Sequence, residues 1–223
     1  MDKYRKIGII VGILYILGTV FGVMSVALMG NTSDFTQIAT NSGQFTAGAL
    51  FILLMGIVLA FIPIILYPIL KTLNEVLAMG YVIFRGAIET MGNIISFVGF
   101  LLLLHLGQSY QALILGGHDL ILISNIFIFG LGALMLYLIL YQSKLIPRWI
   151  SLWGIIAIVL HLIKGFLLIF GVVTDFSMIG VLIDMPIFFQ EMVMAIWFIV
   201  KGFNFTFIEN TKKKQFEKGI INS

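Results

Sequence analysis

Six long apolar stretches divide this chain, and positive charge gathers on every second connection between them. Few patterns restrict a fold as tightly. A helix of about 20 mostly apolar residues crosses the hydrocarbon layer of a bilayer, and in that layer only helices and closed barrels satisfy their own backbone. The stretches fall at 7–30, 46–70, 76–104, 119–142, 149–173 and 178–201. They predict an all-α fold, a polytopic integral membrane bundle of six transmembrane helices within residues 1–202. Charged residues make up 10% of the chain, against about 25% in soluble domains, so a water-facing surface cannot be assembled from this inventory.

Orientation follows from the connections. Lys3, Arg5, Lys6, Lys71, Lys144, Arg148 and Lys201 all fall on one side, together with Lys212, Lys213, Lys214 and Lys218 of the tail. The three connections on the other side carry Asp34, Asp119 and Asp175 but no Lys or Arg. Short basic loops stay cytoplasmic, which gives an N-in/C-in topology with 203–223 as a basic cytoplasmic tail. That tail reads as a stop-transfer anchor or a short amphipathic helix on the inner leaflet. The net charge of +3 is spent on orientation and on an anionic leaflet, so no nucleic acid is expected as a partner. The first stretch resembles a secretory signal ending near Ser25-Val26-Ala27, but its apolar run exceeds the roughly 7–15 residues of a signal core. It is expected to remain as a span.

Within that first span Gly8, Gly12, Gly18, Gly22 and Ser25 form one stripe. Small residues let membrane helices approach closely, so the stripe is an internal packing face or, as the alternative, a face for a homodimer or another membrane protein. Pro63 and Pro68 predict a kink in the second span, and Tyr141, Trp149 and Trp153 suit an interfacial belt.

Ionisable residues inside the spans are the feature that bears on function. Arg85 and Glu89 lie four residues apart on the third span, with Tyr81 and Asn93 on the same face. A rise of 1.5 Å per residue puts Glu89 about 20 Å from the inner boundary. Glu191, beside Gln190 on the sixth span, lies at a similar depth, and Asp184 precedes it by seven residues on the same face. His161 and Lys164 share a face of the fifth span. A lone charge at mid-span costs about 2.5–3.5 kcal/mol on insertion scales, so these side chains are expected to turn inward and pair. The economical scheme joins Arg85 with Glu89 and Glu191 near the midplane, and Lys164 with Asp184 further out, with His161 and Asn93 supplying hydrogen bonds. Three carboxylates then face two fixed cations. Either one carboxyl holds a proton, or His161 or a bound cation supplies the missing charge. A polar cavity between spans three, five and six is the functional reading; polar glue between helices is the structural one.

Other chemistry is poorly supported. There is no Cys, which excludes disulfides, thiolate metal sites and a Cys nucleophile. His105, His118 and His161, with Asp119, lack the spacing of a metal set, and no Ser elbow, phosphate-cradling loop or helical HExxH occurs. No metal or cofactor is expected. Gly116-Gly117 reads as a bend in an outer turn.

Three stretches carry a resemblance: YPILKTLNEVLAMGYVIFR from Tyr67 to Arg85, SKLIPRWISLWG from Ser143 to Gly154, and MPIFFQEMVMAIWFIVKG from Met185 to Gly202. With the whole-length hydropathy, these resemble the membrane-protein family called domain of unknown function 4386. The resemblance implies a small bacterial multi-spanning protein of the cytoplasmic membrane and carries over no activity or catalytic residue. The expectation is a protein that binds or transports a small polar or amphipathic ligand, or protons, at Arg85, Glu89, Asn93, His161, Lys164, Asp184, Gln190 and Glu191. The alternatives are an intramembrane enzyme acting on a lipid, with a carboxyl and His161 as acid and base, and a non-enzymatic accessory subunit. Membrane lipids are partners on every reading.

Overall fold

The computed structural model describes residues 3–30, 32, 34–175 and 177–204. The basic tail beyond Asn204, including Lys212-Lys213-Lys214, lies outside them. The described chain is helical throughout its regular structure: α1 (Lys3–Met29), α2 (Phe35–Thr40), α3 (Ser42–Leu70), α4 (Glu75–Tyr81), α5 (Glu89–Leu106), α6 (Gln111–Ser143), α7 (Arg148–Ile169) and α8 (Met178–Val200). A π-helical segment, Val82–Ile88, joins α4 to α5 without a break. Six of the resulting rods are long and apolar enough to cross a membrane, the third running from Glu75 to Leu106.

Local chemistry explains the ends. Asn74 accepts a hydrogen bond from the Leu77 amide and starts α4, Ser177 does the same for α8 through the Gly180 amide, and Asp34 caps α2. Such caps satisfy amides that a helix leaves unpaired in its first turn. Gly107, at φ +79°, ends α5 in a conformation that side chains rarely adopt.

Two expectations change here. The second span begins at Ser42, ahead of 46, and α2 occupies part of the connection before it. The fourth span starts at Gln111, well before 119, so Gly116-Gly117 is helix and not a bend. Nothing touches a Cβ added at either glycine, so helix is the default once no neighbour demands a turn.

The six rods close into a ring in chain order. α1 packs on α3, α3 on the third rod, that rod on α6, α6 on α7, α7 on α8, and α8 returns to α1. Glycines set the closest approaches. A Cβ on Gly12 would lie 2.5 Å from the Ala195 carbonyl oxygen, and one on Gly18 would meet Leu59 at 2.6 Å. The small-residue stripe of α1 is thus filled by α8 and α3, and a second chain has no free surface at Gly8, Gly12 or Gly18 while the ring is closed. Arg5 completes the seam by donating to the carbonyls of Phe198, Ile199 and Val200 at the end of α8. Outward faces carry exposed Val23, Phe61, Ile64, Ile95, Phe166 and Phe189, a continuous apolar coat that suits lipid and not water. Pro63 and Pro68 lie inside α3, which continues through them to Leu70.

Candidate functional site

Side chains cross the ring at three levels. At the end holding Arg5, Tyr15 and Tyr81 share a hydrogen bond of 3.1 Å, and Tyr137 donates to Gln190 at 2.7 Å while Gln190 donates to the Ile150 carbonyl. Leu66, Leu136, Leu140 and Phe198 pack among these groups, so this half is closed. Gln190 belongs to that seal. It does not join the charges beside it in sequence, because consecutive helical residues point about 100° apart.

Arg85 occupies the middle level. Its Nη1 donates to both carboxylate oxygens of Glu89, at 2.6 and 2.8 Å, and its Nη2 lies 3.5 Å from Glu191. The guanidinium also stands 4.4 Å from the centroid of the Phe129 ring, close enough for a cation–π contact. Both Arg85 and Glu89 are buried, and the Glu191 side chain is 17% exposed. The π segment places this group. A Cβ on Gly86 would come 3.2 Å from the Pro63 ring, and one on Gly132 would come 3.2 Å from the Arg85 amide nitrogen. The widened turn is therefore wedged between α3 and α6. Such π turns recur at functional positions.

The third level lies toward the α7–α8 connection. Lys164 is bonded to Asp175 and, at 2.5 Å, to Asp184; His161 Nδ1 lies 2.7 Å from the other oxygen of Asp184. Gly171, at φ +68°, lets the chain leave α7 and fold back so that Asp175 reaches Lys164.

A cavity of about 630 Å³ joins the middle and outer levels. Its polar wall is Glu89, Asn93, Asn125, His161, Lys164 and Asp184; Met55, Ile126, Phe129 and Leu168 supply an apolar wall. It reaches the surface beside Asp119, Gly171 and Thr174, all exposed. A second hollow of about 500 Å³ shares Asp119, Leu122 and Asp175 with it and forms a vestibule. Asn93 is buried, yet neither it nor Asn125 has a hydrogen-bond partner among the described residues. Two amides thus face the hollow with donors and acceptors unspent. No group of three or more His, Asp or Glu among the described residues is placed to hold a metal.

The expected residues therefore divide. Arg85, Glu89 and Glu191 form one group, His161, Lys164 and Asp184 another, and Asn93 lines the space between. Gln190 stands apart. Sequence reasoning also placed the cavity between spans three, five and six, whereas the fourth span forms much of its wall through Asn125 and Phe129. Asn125 could have been found as a lone amide within an apolar run. Asp175 carries no such signal, because a single charge in an outer connection is unremarkable there.

The chain matches the family described as domain of unknown function (DUF4386) over residues 10–202. It belongs to that family. The match covers all six rods from within α1 to the end of α8, so the DUF4386 region includes both charge groups and the cavity. No curated protein and no solved structure matches the chain.

Proposed function

We propose that this multi-pass membrane protein binds a small amphipathic molecule, with a positively charged, hydrogen-bonding head, in the cavity between the two charge groups. The observation that carries the reading is the pair of unpartnered amides, Asn93 and Asn125, on the wall of a hollow that also exposes Glu89. Both amides open onto the hollow instead of being sealed in protein, so an occupant meets their donors and acceptors directly. Charge supports the cationic head. Four carboxyl groups, Glu89, Glu191, Asp175 and Asp184, face the fixed cations Arg85 and Lys164, so with the carboxylates ionised a cationic head balances the set. Phe129, Ile126 and Leu168 suit an apolar tail.

The test is a thermal-shift and calorimetric screen of small amines and amino alcohols on the purified protein. Stabilisation by one class, lost in Asn93→Leu and Glu89→Gln but kept in a surface variant, supports the reading. A screen without a hit, or a response that survives both substitutions, defeats it. Transport would additionally need the seal around Tyr81 and Tyr137 to open. Proton relay by Glu89 and Glu191 would appear as pH-dependent uptake in vesicles, absent from Glu89→Gln.

A second reading rests on His161. Asp184 holds its Nδ1, and Nε2 has no partner among the described residues, an arrangement suited to a general base. On that reading the chain is an intramembrane enzyme acting on a lipid; turnover of labelled lipids by wild type but not by His161→Gln would support it. The charge asymmetry of the connections favours N-in/C-in insertion in a bacterial cytoplasmic membrane, with the cavity mouth outside. The absence of Cys makes the check direct. Glu75→Cys should react with impermeant reagent only from inside, and Ser109→Cys only from outside.

A further inference from the structure

The end of the bundle opposite the cavity mouth holds a separate hollow of about 580 Å³, built from the α6–α7 connection and the end of α8. Lys144, Arg148 and Lys201 line it, with Trp197 and Phe203 as apolar floor and no carboxylate in the wall among the described residues. No ion pair neutralises any of the three among the described residues. Arg148 stands 5.3 Å from the centroid of the Tyr141 ring, a cation–π contact that leaves its charge unneutralised. The α8 carbonyls that would attract Lys201 are already taken by Arg5. Lys144 ends α6 at φ +55°, a position glycine fills with less strain, so a charged side chain is held there at a cost. Arg148 opens α7, whose first turn has no side-chain cap and leaves amides free for an anion. Exposed Trp149, stacked on Trp153, marks the level where lipid headgroups meet water.

We infer that this hollow binds a phosphate ester anion, either the headgroup of an anionic lipid or a soluble phosphate. Three converging cations, an uncapped helix start and an aromatic floor form a recognition site for that chemistry. Orientation alone needs positive charge on the connection, and it needs no cavity for that charge to converge on.

The experiment compares retention of phosphatidylglycerol and phosphatidylcholine by the full-length protein in detergent, followed by native mass spectrometry and thermal stability. Two variants remove equal charge, K144Q/R148Q/K201Q in the wall of the hollow and K3Q/K6Q/K71Q at positions that do not line it. A cation near an anionic surface contributes about 1 kcal/mol, so the first variant should retain phosphatidylglycerol roughly a hundredfold more weakly. The second should hold it as wild type does. Arg148→Gln alone, about fivefold weaker on the same scale, keeps the test valid if the triple variant unfolds. Glycerol phosphate and inorganic phosphate form the competing arm. Displacement of lipid by either assigns the site to soluble phosphate, and failure to displace assigns it to the headgroup. Equal weakening in both triple variants, or no preference for phosphatidylglycerol, would overturn the inference.

Discussion

Removing the guanidinium while keeping a long side chain, as in Arg85→Met, leaves Glu89 and Glu191 without the cation they share. Glu89 loses two hydrogen bonds of 2.6 and 2.8 Å at a position only 10% exposed, and Glu191 loses an ion pair at 3.5 Å. Breaking a buried pair by deleting one partner costs about 3–5 kcal/mol. The lost contact with the Phe129 ring adds about 0.5–2 kcal/mol. Partial exposure of Glu191 and the adjoining cavity lower the sum, so the expected loss is about 4 kcal/mol. Equilibrium unfolding in mixed micelles measures it. The triple variant R85M/E89Q/E191Q should recover most of the loss, because replacing a whole buried ion set by neutral groups is often close to neutral. A loss below about 1 kcal/mol in Arg85→Met, the range of solvated surface pairs, would refute the reasoning. The cluster would then be wet, and its pairing would not stabilise the fold.

Three further outcomes follow from other contacts. Lys164→Met should free the α7–α8 connection, because Asp175 and Asp184 then repel; their one-third exposure limits the loss to about 2 kcal/mol, and hydrogen exchange at 171–175 should rise while α1 is unchanged. Gly12→Val drives a branched side chain onto the Ala195 carbonyl and Ile199 and should lower stability by about 3 kcal/mol, read by thermal aggregation; a neutral result would contradict the α1–α8 seam. Tyr137→Phe leaves the buried Gln190 oxygen unpaired at about 1–3 kcal/mol, and it should not alter ligand binding in the cavity, which Gln190 does not line.

The apolar runs and their basic flanks were enough to read the number of spans, since the cost of unpaired backbone in lipid acts on each run locally. Pairing within one helix was readable for a similar reason: four residues, as with Arg85 and Glu89, is a fixed spacing. Contacts that depend on chain reversal were not readable. Asp175 reaches Lys164 only because Gly171 turns the chain back, and nothing in the spacing announces it. The π segment was equally hidden. VIFRGAI is compatible with ordinary helix, and the widening arises where Pro63 and Gly132 crowd it from both sides. Ring order decided the rest. Spans three and five shared polar residues on paper, but α6 stands between them, which is why Asn125 and Phe129 entered the wall unannounced.

The seam closed by Arg5 ties α1 to α8. Until α8 is released from the ribosome, the nascent protein is an incomplete circle with a slot where its sixth member belongs. Until then Arg85 lacks Glu191, and His161 and Lys164 lack Asp184. Closure of the ring therefore waits on the docking of α8 against α1 and α7. Chains cut short before Met178 should be recognised as damaged by membrane proteases, whatever the quality of the first five spans.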